Sequence, residues 1–282
     1  MELGKYDEAD EIADSFLNID SNSSLALYSK SKTCIGIKNY HRSLDYVEKL
    51  LKIDPDDPSN WFRKGYVLYY MNQYKEALEI FKKYIEMDND ESSFRYIGLC
   101  LEELDNVEEA KKYFNKVLIY YNSLLEEDNE DIDNLLEKAF ILGKLGKFDD
   151  ALTICDKLLK KDPNDIETLF RKAWTLGKSK RINESMKLFD KVLKLKSDDV
   201  EILNNIGWIL CEAGKFEESL PYFNKSIELN PNYFNTLHSK GYALENLNKY
   251  QEALEYYNKV LNVNPSDEIG VKSRERVLKK LK

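Results

Sequence analysis

The sequence predicts an all-α chain, an array of stacked antiparallel helix pairs, and three observations carry the prediction. The 282 residues are 43% hydrophobic and 33% charged with only 11 Gly and 6 Pro, a balance that suits ordered, soluble helices. Small residues recur with a period of about 34, at Gly65, Gly98, Ala139, Ala173, Gly207 and Gly241, with Ser31 as a looser match. About twelve residues further on a second small position follows, at Ser43, Ala77, Ala110, Ala151, Ser185, Ser219 and Ala253.

Around these two positions the rest of the unit falls into place. Three residues before the second small position stand Tyr40, Tyr74, Val107, Phe148, Ile182, Phe216 and Tyr250, and four units close on Pro55, Pro163, Pro231 and Pro265. Helices approach to about 8–10 Å only where side chains at the crossing are small. A proline cannot continue one helix but suits the start of the next, which sets the phase of the array.

The unit at 234–267, with Leu237, Gly241, Leu244, Tyr250, Ala253, Tyr257 and Pro265, resembles the tetratricopeptide repeat (TPR) family. The resemblance covers seven units: 24–57, 58–90, 91–131, 132–165, 166–199, 200–233 and 234–267. It implies a right-handed α-solenoid whose concave surface is lined mainly by the first helix of each pair. Lys64, Lys138, Lys172 and Lys240 stand where the family usually has leucine; their aliphatic stems are expected to pack while the ammonium groups reach water.

Taken in chain order, residues 1–23 read as a half repeat that supplies a second helix only. Leu3, Gly4, Tyr6 and Ala9 match a turn and second helix, and Ile12, Phe16 and Leu17 are expected to pack on 24–57 while leaving apolar surface bare. Either the chain continues a longer array or another chain covers that surface. Repeats one to three fill 24–131; the third is long, and its second helix is expected to gain about two turns before the acidic stretch EEDNEDID. That stretch lacks the Gly and spaced ligands of a calcium loop. Repeats four to seven fill 132–267, with a local kink expected at Pro221. Residues 268–282 read as a capping helix, with Ile269, Val271, Val277, Leu278 and Leu281 covering the last repeat and basic residues outward.

No motif points to catalysis. His41 and His238 stand in no metal or nucleophile arrangement, there is no Gly-rich phosphate loop, and the reading is no enzyme, no metal and no cofactor. Cys34, Cys100, Cys155 and Cys211 are too scattered for zinc or a disulfide framework, so they are expected as buried thiols in a reducing compartment. Apolar runs are far shorter than the roughly 20 residues of a membrane span and no signal segment opens the chain, which places it in the cytoplasm. The net charge of −9 is interspersed, which argues against nucleic acid and membrane partners.

The candidate site is a concave groove. Mapped onto the family's usual ligand-facing positions, the ninth position of the first helices gives Lys32, Tyr66, Leu99, Phe140, Trp174, Trp208 and Tyr242, and the fifth gives Tyr28, Phe62, Arg95, Leu136, Phe170, Asn204 and His238, of which Tyr66, Phe140, Trp174, Trp208, Tyr242, Phe62, Phe170, Asn204 and His238 are the candidates. Residues four apart share a helix face, so these form a ladder; Tyr69 and Tyr70 add to it, and Arg63, Arg171 and Asn205 at the sixth position supply polar groups. Two readings stay open: the aromatics fill the inside of the superhelix, or they anchor an extended or helical peptide. The family's two-carboxylate clamp needs Lys at the fifth and Asn at the ninth position, and no repeat has both. The Asn ladder of certain TPR glycosyltransferases is missing too. Groove charges are mixed, Arg63, Arg95, Lys144, Arg171 and Lys178 against Glu102, Glu103, Asp133, Glu137, Glu167, Glu201, Glu212 and Glu245. The expected function is a non-catalytic adaptor or scaffold for a protein or peptide partner. The alternatives are a structural module, a homo-oligomer through the N-terminal half repeat, and the regulatory region of a larger enzyme.

Overall fold

The computed structural model describes residues 2–88 and 90–282, with side chains described for 11–88, 90, 91 and 93–282. All regular structure among them is helical. The chain divides into two compact units, 1–113 and 114–282.

The first unit holds α1 (Glu2–Ile19), α2 (Ser24–Gly36), α3 (Tyr40–Ile53), α4 (Pro58–Tyr70), α5 (Tyr74–Asp88), a short 3-10 turn (Glu91–Ser93), α6 (Phe94–Glu103) and the start of α7 (Val107–Glu127). The second holds the rest of α7, then α8 (Ile132–Lys144), α9 (Phe148–Lys161), α10 (Ile166–Lys178), α11 (Ile182–Leu195), α12 (Val200–Glu212), α13 (Phe216–Leu229), α14 (Phe234–Asn246), α15 (Tyr250–Val263) and α16 (Glu268–Lys280). In the first unit α1 to α6, and in the second α8 to α16, pack in sequence, each helix on the next. Helix α7 runs 21 residues where α9 runs 14. The acidic residues after it are tethered, since Glu130 pairs with Lys157 at 3.1 Å and with Lys161 of α9.

The two small positions meet inside each pair. Ser31 and Ser43 share a hydrogen bond of 2.9 Å, and the Ser185 hydroxyl donates to the Ala173 carbonyl at 2.6 Å. The first small position also faces a ring of the second helix: a methyl group on Gly207 would lie 2.4 Å from the Phe223 ring, and one on Gly241 2.7 Å from Tyr257. Phe81, Phe189, Phe223 and Tyr257 are fully buried there.

Each pair turns through one residue in the left-handed region, at Lys38, Asn72, Asp105, Gly146, Lys180, Gly214 and Asn248. The following amide bonds back to the first helix, as in Asn39 N–H to Cys34 O at 2.8 Å and Lys215 N–H to Leu210 O at 2.8 Å, which satisfies carbonyls at the helix end. The next first helix starts on an aspartate cap: Asp57, Asp131, Asp165, Asp199 and Asp267 each accept a backbone N–H of the turn that follows.

Two expectations are corrected. Gly4 aligns with the left-handed turn positions but lies inside α1. Leu278 and Leu281 are about two-fifths exposed, since α16 turns Val277, Gly270 and Ser273 inward and presents the two leucines to the side on which earlier first helices meet their second helix. Three of the four unusual lysines also find partners at the surface. Lys64 pairs with Glu48 at 2.5 Å, Lys172 with Asp156 at 2.5 Å, and Lys240 donates to Asn224 at 2.5 Å and Tyr256 at 2.6 Å. In α13 the chain stays helical through Pro221. The four cysteines are free and buried.

Candidate functional site

All fourteen candidate residues are partly buried, and the structure sorts them by repeat position. Rings at the fifth position reach the second helix of their own pair, and Phe62 meets Tyr96 of the next first helix as well. Phe62 meets Phe81 at 5.8 Å, Phe170 meets Phe189 at 5.9 Å and His238 meets Tyr257 at 5.6 Å. Asn205 donates to the Glu201 carbonyl of its own helix at 2.8 Å. Burial and Arg276 hold the His238 imidazole down at about 4, so the ring is neutral at pH 7.

Rings at the ninth position instead turn toward neighbouring first helices. In the second unit α8, α10, α12, α14 and α16 touch in sequence. Close approach is possible because Gly143 and Gly177 stand at the contacts: a methyl on Gly143 would lie 3.0 Å from Trp174, and one on Gly177 2.7 Å from Ile209. Phe140 and Trp174 lie 5.9 Å apart between ring centres, Trp208 and Tyr242 5.4 Å.

Charged groups join the two ring pairs into one run. Arg171 lies 4.8 Å over Phe140, and the Lys144 ammonium 5.7 Å from both Phe140 and Trp174. Lys178 sits 5.8 Å over Trp174 and pairs with Glu212 at 2.7 Å, while the Trp208 indole donates to the same carboxylate at 3.0 Å. Cation–π contacts of this kind contribute about 0.5–1 kcal/mol where exposed and more where water is excluded. Further along, Glu245 accepts from Arg276 at 2.6 and 2.8 Å and from the Tyr257 hydroxyl at 2.9 Å. Burial works to raise the Glu245 carboxyl, but the Arg276 and Tyr257 hydrogen bonds outweigh it and hold it below the ordinary glutamate value.

The first unit builds a denser cluster. Tyr66 meets Tyr70 at 4.6 Å and Tyr96 at 5.7 Å, and Tyr69 meets Tyr70 at 5.3 Å. Tyr96 is its hub, also touching Phe62 at 5.5 Å and Phe81 at 5.1 Å, with Arg95 over its ring at 4.8 Å. Arg63 lies 3.9 Å over Tyr28. Burial, reinforced by Glu103, pushes the Tyr69 hydroxyl well up, so it stays protonated. The central role of Tyr96 was missed from sequence because it occupies the sixth position, polar in every other repeat; a ring there was the available signal.

Sequence models of the tetratricopeptide repeat match residues 25–57, 133–165, 166–199 and 198–266, together more than half of the chain. The chain belongs to the tetratricopeptide repeat family. A model of anaphase-promoting complex (cyclosome) subunit 3 matches residues 44–117. The TPR repeat-containing protein MJ1428 of Methanocaldococcus jannaschii is 29% identical over 126 residues, 43% of this chain, which spans about a fifth (22%) of that relative's length. Among solved structures, a tetratricopeptide repeat protein from Parabacteroides merdae aligns over 91% of this chain and 99% of its own, with a TM-score of 0.53 at 14% identity. MamA aligns over 56% of this chain and 92% of its own, with a TM-score of 0.45 at 18% identity. The repeat assignment carries a general role as a protein-interaction scaffold. Among the described residues of this TPR chain, no helix is long and apolar enough to cross a membrane.

Proposed function

We propose that this TPR chain is a non-catalytic cytoplasmic scaffold that binds a peptide or protein segment along the inner faces of α8, α10, α12 and α14. The observation that carries the reading is the continuous run from Phe140 and Trp174 through Lys178 and Glu212 to Trp208 and Tyr242, every member partly buried. Partly buried aromatics keep apolar area and a hydrogen-bonding edge available, the two properties that anchor residues at interfaces combine. The fifth-position rings, already packed inside their own pairs, act as supports that hold the first helices in place. Because Lys178 is neutralised by Glu212, the face lacks the run of free cations that a phosphate backbone would need, which favours protein over nucleic acid.

The test is selection from a displayed library of random peptides against the wild-type chain. Clones are then rescored on Trp174→Ala and Trp208→Ala variants whose circular dichroism is unchanged. Selected peptides should lose at least about tenfold in affinity on either variant, as truncated interface anchors do. Equal binding to all three proteins would move the interaction off this face.

A further inference from the structure

We propose that the second and fifth repeats each hold a pocket for a tyrosine side chain presented by a partner protein, its ring on an aliphatic floor and its hydroxyl on Lys64 or Lys172. Three places after the second small position, four repeats carry a tyrosine: Tyr46, Tyr113, Tyr222 and Tyr256. The other three carry Ile80, Ile154 and Leu188.

The seventh repeat shows where such a tyrosine goes. Tyr256 of α15 joins the apolar cluster that holds Leu220 of α13 and Leu244 of α14. Its hydroxyl accepts from the Lys240 ammonium at 2.6 Å, and that ammonium lies 4.3 Å from the ring centre. In the sixth repeat Tyr222 packs on the cluster of Ile206 and Leu210, beside Met186. Burial, reinforced by Asp190 and Glu218, pushes the Tyr222 hydroxyl up. In both repeats the ring closes the crevice between one second helix and the pair that follows it.

The second repeat keeps the walls and omits the ring. Leu44, Lys64, Leu68, Glu76 and Glu79 stand where the seventh repeat has Leu220, Lys240, Leu244, Glu252 and Glu255, each of the same residue type. Ile80 replaces Tyr256, and a pocket of about 430 Å³ opens among these side chains. The fifth repeat makes the same exchange: with Leu188 in place of a tyrosine, a pocket of about 540 Å³ opens over Leu152, Leu176 and Leu188, with Lys172 at its wall. Spaces of this size, with an apolar floor and a few placed polar groups, are typical of ligand sites.

The chain thus supplies its own template for the occupant. Lys240 bonds Asn224 and the Tyr256 hydroxyl together. Lys64 and Lys172 make the first of these two contacts, with Glu48 and Asp156 at 2.5 Å each. An ammonium has three donors, so each lysine keeps the means to bond a hydroxyl that arrives from another protein. An aromatic side chain with a polar tip is also a common interface anchor. The proposal is independent of the inner-face reading, because none of these residues lies on the aromatic run.

The test is methyl-labelled NMR of the full chain, titrated with N-acetyl-tyrosinamide and, separately, with N-acetyl-phenylalaninamide. Ile80→Tyr and Leu188→Tyr variants install the ring that other repeats carry. In wild type the tyrosine amide should shift the Leu68 and Leu176 methyl signals saturably, with a dissociation constant on the order of 1 mM. The phenylalanine amide, lacking the hydroxyl, should bind about two- to tenfold more weakly. Ile80→Tyr should abolish the shift at Leu68 and keep that at Leu176, and Leu188→Tyr should do the reverse. Both variants should melt at or above the wild-type temperature, because the new ring fills open space. The proposal is overturned if neither leucine shifts saturably in wild type, if the shifts persist in the filled variants, or if both amides bind equally. A filled variant that melts below wild type would overturn it as well, since the space would then not take the ring.

Discussion

The tight helix crossing of Gly207 against Phe223 gives a quantitative test of why the repeat demands a small residue. A methyl group on Gly207 would lie 2.4 Å from Phe223 Cε1, more than about 1 Å inside the ordinary carbon–carbon contact of about 3.5–4.0 Å. The ring is fully buried, so it cannot swing into solvent. Gly207→Ala gains about 1 kcal/mol of helix propensity but costs about 1–3 kcal/mol of overpacking, a net destabilisation of about 1 kcal/mol. Phe223→Leu alone costs about 1–2 kcal/mol, less than the 3–5 kcal/mol of truncation to alanine. In the double variant the methyl group occupies space the ring has vacated. The pair should therefore be less destabilised than the sum of the singles by at least about 0.5 kcal/mol. Because neighbouring repeats unfold semi-independently, urea unfolding by circular dichroism should be joined by amide exchange read on α12 and α13. Gly214→Ala is the control: it has positive φ and no neighbour within 4 Å, so its cost of about 1–2 kcal/mol is backbone strain and is unchanged by Phe223→Leu. Additive singles, or a stabilising Gly207→Ala, would refute the close-approach argument.

Two further predictions follow from buried ionisable groups. Burial pushes the Cys100 thiol up to about 12 and those of Cys155 and Cys211 up to about 11, so a thiol reagent at pH 8 should label these three only as fast as the folded chain opens, and completely in denaturant. Rapid labelling of the native chain would contradict their burial. His238 is held at about 4 against 6.5 for a free imidazole, so between those values the unfolded chain binds more protons and stability rises with pH. Wild type should lose stability as pH falls from about 6.5 toward about 4, a loss that His238→Gln should reduce; equal slopes for both proteins would remove His238 as the cause.

How far the site could be read in advance depends on what spacing can say. The alternation of small and large residues fixed the pairs, because close crossing is a local steric demand. Residues at the fifth and ninth positions also share a helix face, as spacing required. Spacing on one helix does not say which neighbour that face meets. Phe62, Phe170 and His238 reach the ring of their own second helix, while Trp174, Trp208 and Tyr242 meet neighbouring first helices. The sequence reading grouped them as one ladder because the direction in which the helices stack is set by packing between repeats. The left-handed turn was hidden for a different reason: it recurs in all seven repeats, but Lys, Asn, Asp and Gly each fill it, so the constraint lies in the backbone.

The lysines expose a signal that was present and unread. Lys64, Lys172 and Lys240 each reach a side chain sixteen residues earlier, Glu48, Asp156 and Asn224, and Lys30 does the same with Asp14 at 2.6 Å. Sixteen residues separate the seventh position of a first helix from the outer side of the preceding second helix, so the contact links one pair to the next and never lies within a pair. Where the family's leucine would add apolar area at that seam, a lysine stem still does so and its head adds a polar tie. Exposed ion pairs contribute little, about 0–1 kcal/mol, so the substitution at Lys64 and Lys172 costs the array little. Lys30 differs, because its side chain is wholly buried while Asp14 is 58% exposed. An ammonium taken out of water depends on its carboxylate, which makes Asp14 the residue that fixes α1 against α2. That seam holds α1 in place with Phe16 half-exposed.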